Sequence, residues 1–163
     1  MTTTTRTAQL LEVYLNDHLA GATAGAGLAR RLADSESGWA PGLGRIAGEI
    51  HDDRSALLEL MRLLDVRLQR YKSAIAWVGE KAGRFKPNRH LFTRSPLSRV
   101  IELEMLRLGV EGKAAAWRTL REVAETEPRL PVARLEALDA RARAQIEELE
   151  ALRVRAVAEA LAP

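Results

Sequence analysis

Apolar residues recur every three or four positions through four long stretches of the chain, the spacing that places them along one side of an α-helix. The first stretch runs from about Thr7 to Leu32, with Leu11, Tyr14, Leu15, His18, Ala22, Gly25, Ala29 and Leu32 in register. Asp34 to Gly38 read as a turn, and Pro41 suits a helix start, where its missing N–H would have no partner anyway. The second stretch extends to about Leu64 with Leu43, Ile46, Ile50, Leu57, Leu60 and Leu64 as its stripe. Ser95-Pro96 supplies an N-cap and a first helical residue for a third helix, which runs to about Glu125 with Leu97, Ile101 and Leu108 in line. Pro128 and Pro131 break the chain. A fourth helix then carries Leu135, Leu138, Ala142, Gln145, Leu149, Leu152 and Ala156 as far as Leu161.

Between the second and third helices the pattern predicts a shorter helix over Val66 to Ala82, then a loop over Gly83 to Ser95. Alternating apolar runs and hairpin turns are nearly missing, so the pattern predicts an all-α fold. Two long helices joined by a short turn pair antiparallel, and the sequence contains two such pairs. The connection between them, about thirty residues, is long enough to travel the ~30 Å length of a bundle.

This order of pair, crossover and pair resembles the ferritin-like four-helix-bundle superfamily, here with an extra helix in the crossover. The expectation is one domain over residues 1–163, with residues 1–6 as a disordered tail and residues 66–94 as a basic crossover of helix and loop. The N-terminal threonines lack a signal peptide's apolar run, and no run of apolar residues is long enough to span a bilayer. With no cysteine in the chain, disulfides, thiolate metal sites and cysteine nucleophiles are excluded. A cytoplasmic location is the expectation.

Polar residues on apolar stripes carry the candidate chemistry, because burying them is costly unless they are paired. His18 and its neighbour Asp17 fall on the first helix. Asp53 lies with Ile46, Ile50 and Leu57 on the second, with Glu49 one turn before it and Asp52 beside it. Glu104 lies with Leu97, Ile101 and Leu108 on the third, and Glu111 follows two turns later. Gln145 interrupts the fourth stripe, with Glu148 one turn on. Asp17 and Asp52 are about 35 residues apart, as are Glu111 and Gln145, a separation that suits positions facing each other across an antiparallel pair.

The ferritin-like resemblance implies a di-iron or di-manganese centre held by carboxylates from all four helices, and Asp17, His18, Glu49, Asp52, Asp53, Glu104, Glu111, Gln145 and Glu148 are the residues it points to. Carboxylate oxygen with imidazole suits iron or manganese. The sequence departs from the family pattern, which has an E-x-x-H motif on two helices. The second helix reads Glu49-x-x-Asp52, the fourth reads Gln145-x-x-Glu148, and the fourth contains no histidine. The competing reading is a structural network in which Arg54, Arg99, Arg107 and Lys113 neutralise these acids, with no cofactor and no turnover.

Two further features bear on function. Glycines 21, 25 and 27 interrupt the first helix at a cost of about 1 kcal/mol each against alanine. They allow either close approach by a neighbouring helix, the expectation here, or a groove beside Asp17 and His18 for a ligand or lipid tail. Charge is also uneven. Residues 62–99 hold ten Lys and Arg against two acids, although the whole chain carries only +3. Arg67, Arg70, Lys72, Lys81, Arg84, Lys86 and Arg89, interleaved with Tyr71, Trp77, Phe85 and Phe92, could hold nucleic acid or an acidic membrane surface. Neither a nucleophile elbow nor a phosphate-cradling glycine loop is present. The sequence-based reading is therefore a non-catalytic bundle acting by interaction with a partner protein or as a homodimer. Metal binding and anion binding stand as its alternatives.

Overall fold

Each of the four apolar stripes folds as a helix. The structure, a computed structural model, describes residues 3–69 and 95–161, with side chains from Arg6 onward. The helices are α1 (Thr3–Ser35), α2 (Gly42–Leu63), α3 (Pro96–Val123) and α4 (Val132–Leu161). No strand occurs among the described residues, which form an all-α bundle of four helices. None of these helices is long and apolar enough to cross a membrane. α1 begins at Thr3, within the stretch expected to be a disordered tail.

Local chemistry fixes the ends. Pro41 precedes α2 at φ −57°, already helical. The Ser95 side chain accepts the Leu97 N–H at 3.3 Å and caps α3 ahead of Pro96. α2 closes through a left-handed residue, Asp65, at φ 54°. The Val66 N–H donates to the Met61 carbonyl at 2.9 Å, and the Asp65 N–H donates to that of Arg62 at 3.1 Å. That pair of bonds is a Schellman closure, with Asp in the place glycine usually takes. Residues 66–69 are consequently not helical, which corrects the start of the helix expected from Val66. The rest of that helix and the loop to Arg94 lie outside the described residues.

Contacts at the two ends establish direction. Arg99, at the start of α3, binds Glu36 just past the end of α1 and Glu159 near the end of α4. Tyr14, early in α1, donates to the Thr119 hydroxyl, late in α3, at 3.1 Å. Arg45, early in α2, meets Glu148, just past the middle of α4, whereas Glu59, late in α2, meets Arg134, early in α4. Every neighbouring pair is therefore antiparallel, and α2 and α3 run the same way. The end of α2 and the start of α3 consequently lie at opposite ends of the bundle.

The core is built from Leu15, Leu32, Ile46, Leu60, Leu103, Leu106, Trp117, Leu120, Leu135 and Leu149, all but inaccessible to water. Burying each such side chain contributes about 1.5–3 kcal/mol. On α2 and α4 the expected stripes are the buried ones. On α3 they are not. Val100, Leu103, Leu106, Val110, Ala114, Trp117 and Leu120 face inward, while Leu97 and Leu108 are exposed, Leu108 by 65%. The helix carries two apolar stripes, and only the one that continues unbroken to Leu120 is buried.

Candidate functional site

Halfway along the bundle the core gives way to ionisable groups. Asp53, on the buried stripe of α2, is 1% exposed. Its carboxylate receives the Lys113 ammonium of α3 and the Arg141 guanidinium of α4, the latter through Nε at 2.9 Å. Gln145 connects these groups to the next turn. Its carbonyl oxygen accepts from Lys113 at 2.5 Å, and its amide nitrogen donates to Glu49 at 2.9 Å. Glu49 in turn binds Arg45 at 2.5 Å, and Arg45 reaches Glu148. Three acids and three bases thus neutralise one another across α2, α3 and α4. A glutamate at position 145 would put a third carboxylate beside Asp53 and Glu49. The amide instead presents an acceptor to the cation and a donor to the anion.

The electrostatics follow from burial. Desolvation is the largest influence on Lys113 and lowers its pKa below the usual lysine value, while Asp53 opposes that fall. Burial likewise works against ionisation of Glu49, but hydrogen bonds from Gln145 and Arg45 outweigh it and its pKa is lowered. His18 sits edge-on to Tyr14, ring centroids 4.5 Å apart. Burial lowers its pKa, and neighbouring Asp17 only partly offsets this.

Beside this network lies a cavity of about 800 Å³ walled by α1, α2 and α3. Its walls are mostly apolar: Ile50, Leu57, Leu106, Val110 and Trp117, with Ala20, Ala22 and Ala116. The polar contributors are Asp17, His18, Asp53, Arg54 and Lys113. Gly21 and Gly25 of α1 and Gly109 and Gly112 of α3 complete the lining, and a Cβ built on any of the four meets no atom of the described residues within 4 Å. Among the described residues no helix makes the expected close approach to Gly21 and Gly25. These glycines border open space, and the groove beside Asp17 and His18 is the arrangement found. Trp117 is 1% exposed, and its indole nitrogen has no hydrogen-bond partner among the described residues.

The residues singled out from the sequence separate into distinct places. Glu49, Asp53, Gln145 and Glu148 join the network, while Asp17 and His18 line the cavity. Asp52 is exposed on the outer side of α2. Glu104 belongs to the outward stripe of α3 and pairs with Arg153 at 3.5 Å, which corrects its inward placement. Glu111 pairs with Arg107 at 3.6 Å. No three His, Cys, Asp or Glu among the described residues gather as a metal-binding group. Of the basic crossover, Arg67 is exposed. Its carbonyl accepts from the Asn16 side chain at 2.9 Å, and Asn16 also accepts the Gln69 N–H at 3.0 Å. Arg70, Lys72, Lys81, Arg84, Lys86 and Arg89 lie outside the described residues.

Of the cations expected to neutralise these acids, Lys113 and Arg107 do so, at Asp53 and Glu111, whereas Arg99 binds Glu36 and Glu159 instead and Arg54 donates to the Thr23 hydroxyl at 3.0 Å. Sequence reasoning missed Arg141 and Arg45, which complete the network. It also missed the unpaired indole of Trp117. Arg141 lies four residues before Gln145, hence on the same face one turn away, and that spacing is the signal that could have found it. No protein family, curated protein or solved structure matches the chain.

Proposed function

We propose that this protein is a ferritin-like bundle that acts by binding rather than turnover, enclosing an apolar small molecule in the cavity between α1, α2 and α3. The ferritin-like assignment rests on two antiparallel hairpins joined by a connection that must pass from one end of the bundle to the other. The binding assignment rests on the cavity itself. Its volume of about 800 Å³ falls in the range of ligand pockets, roughly 300–1,000 Å³. Four glycines that gain no contact from any described helix border it, each costing its own helix about 1 kcal/mol against alanine. A requirement for space accounts for that sacrifice.

Metal chemistry has less support. The buried carboxylate that a metal would use, Asp53, is already shared by Lys113 and Arg141, and its neighbour Glu49 by Arg45 and Gln145. These cations occupy the position that a bound metal would have to take from them.

A neutral fluorescent probe, N-phenyl-1-naphthylamine, tests the reading. It should bind the wild-type chain at one site and brighten as it leaves water. Gly21→Leu and Gly109→Leu place side chains in the void and improve helix propensity, so both variants should fold and lose probe affinity at least tenfold. A wild-type chain that binds no probe, or variants that bind it equally well, would refute the proposal.

A further inference from the structure

Half-buried arginines in this bundle are answered by acids, with one exception. Arg99 holds Glu36, Arg107 and Arg153 both hold Glu150, and Arg141 holds Asp53. Arg54 is half-buried too, yet it donates through Nε to the Thr23 hydroxyl at 3.0 Å and to no carboxylate among the described residues. Its own helix offers none, because the positions three and four away are Ile50, His51, Leu57 and Leu58. Its neighbour Asp53 is committed to Lys113 and Arg141. A guanidinium has five N–H donors in a rigid fork, so the two terminal nitrogens of Arg54 keep four. Arg54 is also the arginine of the cavity lining, and its bond to Thr23 places it where α2 meets α1.

We propose that the bound molecule is an amphiphile with an oxyanion head, a carboxylate or a phosphate monoester, whose oxygens accept from the terminal N–H groups of Arg54 while its apolar body fills the cavity. This rests on the cavity-binding reading above. The flat fork of a guanidinium matches two oxygens of either head. A wholly apolar guest would strip water from the edge of Arg54 and give nothing back, whereas an oxyanion replaces both the hydrogen bonds and the charge. The acids of the lining do not oppose it strongly. Asp53 is neutralised from two sides, and Asp17, on α1, is exposed, where solvent screens it.

Displacement of N-phenyl-1-naphthylamine by decanoate, decyl phosphate and 1-decanol, matched in length, tests the head group. One or both anions should displace the probe at a concentration about tenfold or more below that of the alcohol, as a charge-assisted hydrogen-bonded pair allows. A preference confined to decanoate identifies a carboxylate head, and a stronger one for decyl phosphate a phosphate. Arg54→Met keeps an apolar stem and removes the charge, and it should abolish the preference. Arg54→Lys keeps the charge without the fork and should retain part of it. Each ratio of anion to alcohol is taken within one protein, so a change in probe affinity cancels. If the probe binds but the three displacers are equivalent, the head-group assignment is wrong and the cavity reading stands. If Arg54→Met prefers the anions as strongly as the wild type, the role given to Arg54 is wrong. If the probe itself does not bind, the cavity reading falls and this one with it.

Discussion

Replacing Asp53 by alanine should damage this protein far more than replacing Asp53, Lys113 and Gln145 together by apolar residues. The Asp53 side chain has no exposure, and two cations converge on it. Truncation would leave Lys113, only 12% exposed, with the Gln145 carbonyl oxygen as its remaining acceptor. Breaking a buried pair by removing one partner typically costs about 3–5 kcal/mol. The lower end applies here, because Arg141 is 36% exposed and can turn to water. A loss of about 3 kcal/mol is a large part of the 5–15 kcal/mol that holds a domain folded. For a chain of this size it corresponds to a fall in Tm of roughly 6–12 °C. The triple variant Asp53→Leu, Lys113→Met, Gln145→Leu leaves no buried charge uncompensated. Glu49 keeps Arg45, and Arg141 is free to reach solvent. That variant should match the wild type within about 1 kcal/mol or exceed it. Urea unfolding followed by far-UV circular dichroism reads both. A cost below about 1 kcal/mol for Asp53→Ala, or equal destabilisation in the triple variant, would refute the argument.

Acid should weaken the fold in two separable steps. Burial lowers the His18 pKa, so the unfolded chain takes up a proton near pH 6.5 that the folded chain resists, and stability falls as pH drops through that value. Melting curves between pH 7.5 and 5.5 should show this first decline, and His18→Gln should flatten it; an unchanged slope would remove His18 as the cause. Glu49, Glu150 and Glu159 titrate below their usual range, so the stability they add is present above about pH 4.5 and is lost at lower pH. Separately, Asp65→Val should cost about 1–2 kcal/mol, because a β-branched residue resists the left-handed backbone that closes α2, while Asp65→Gly should cost little. Equal urea midpoints for the two variants would show that the closure tolerates any side chain.

The helices were legible because each carries a long apolar stripe, and on α2 and α4 that stripe is the buried one. α3 was misread for a physical reason. Leu97, Ile101 and Leu108 have helical spacing as good as that of Val100, Leu103 and Leu106, and periodicity alone does not say which set meets a neighbour. The length of the second set, continuing through Trp117 to Leu120, was the available signal. Asp53 and Gln145 could be picked out as polar residues on apolar stripes, and Lys113 as a cation able to reach them. Their convergence needed the bundle's register. The glycines were ambiguous in principle, since a missing Cβ serves a close helix crossing and an empty wall equally well. Asn16, buried beside Leu15, gave no sign that it would hold the backbone at residues 67 and 69.

The chain's direction of travel has a consequence for how the molecule assembles. Each hairpin closes through a few connecting residues, so its own contacts are near in sequence and quick to form. What joins one hairpin to the other is remote: Lys113 finds Asp53 across 60 positions, Glu49 finds Gln145 across 96, and Trp39 finds Glu159 across 120. Loop closure over such distances is the slow, entropically costly part of folding. The ionic cluster and the cavity beside it therefore both depend on the docking of one hairpin against the other, since each draws residues from both. Partial opening along that seam would expose both while leaving each half helical.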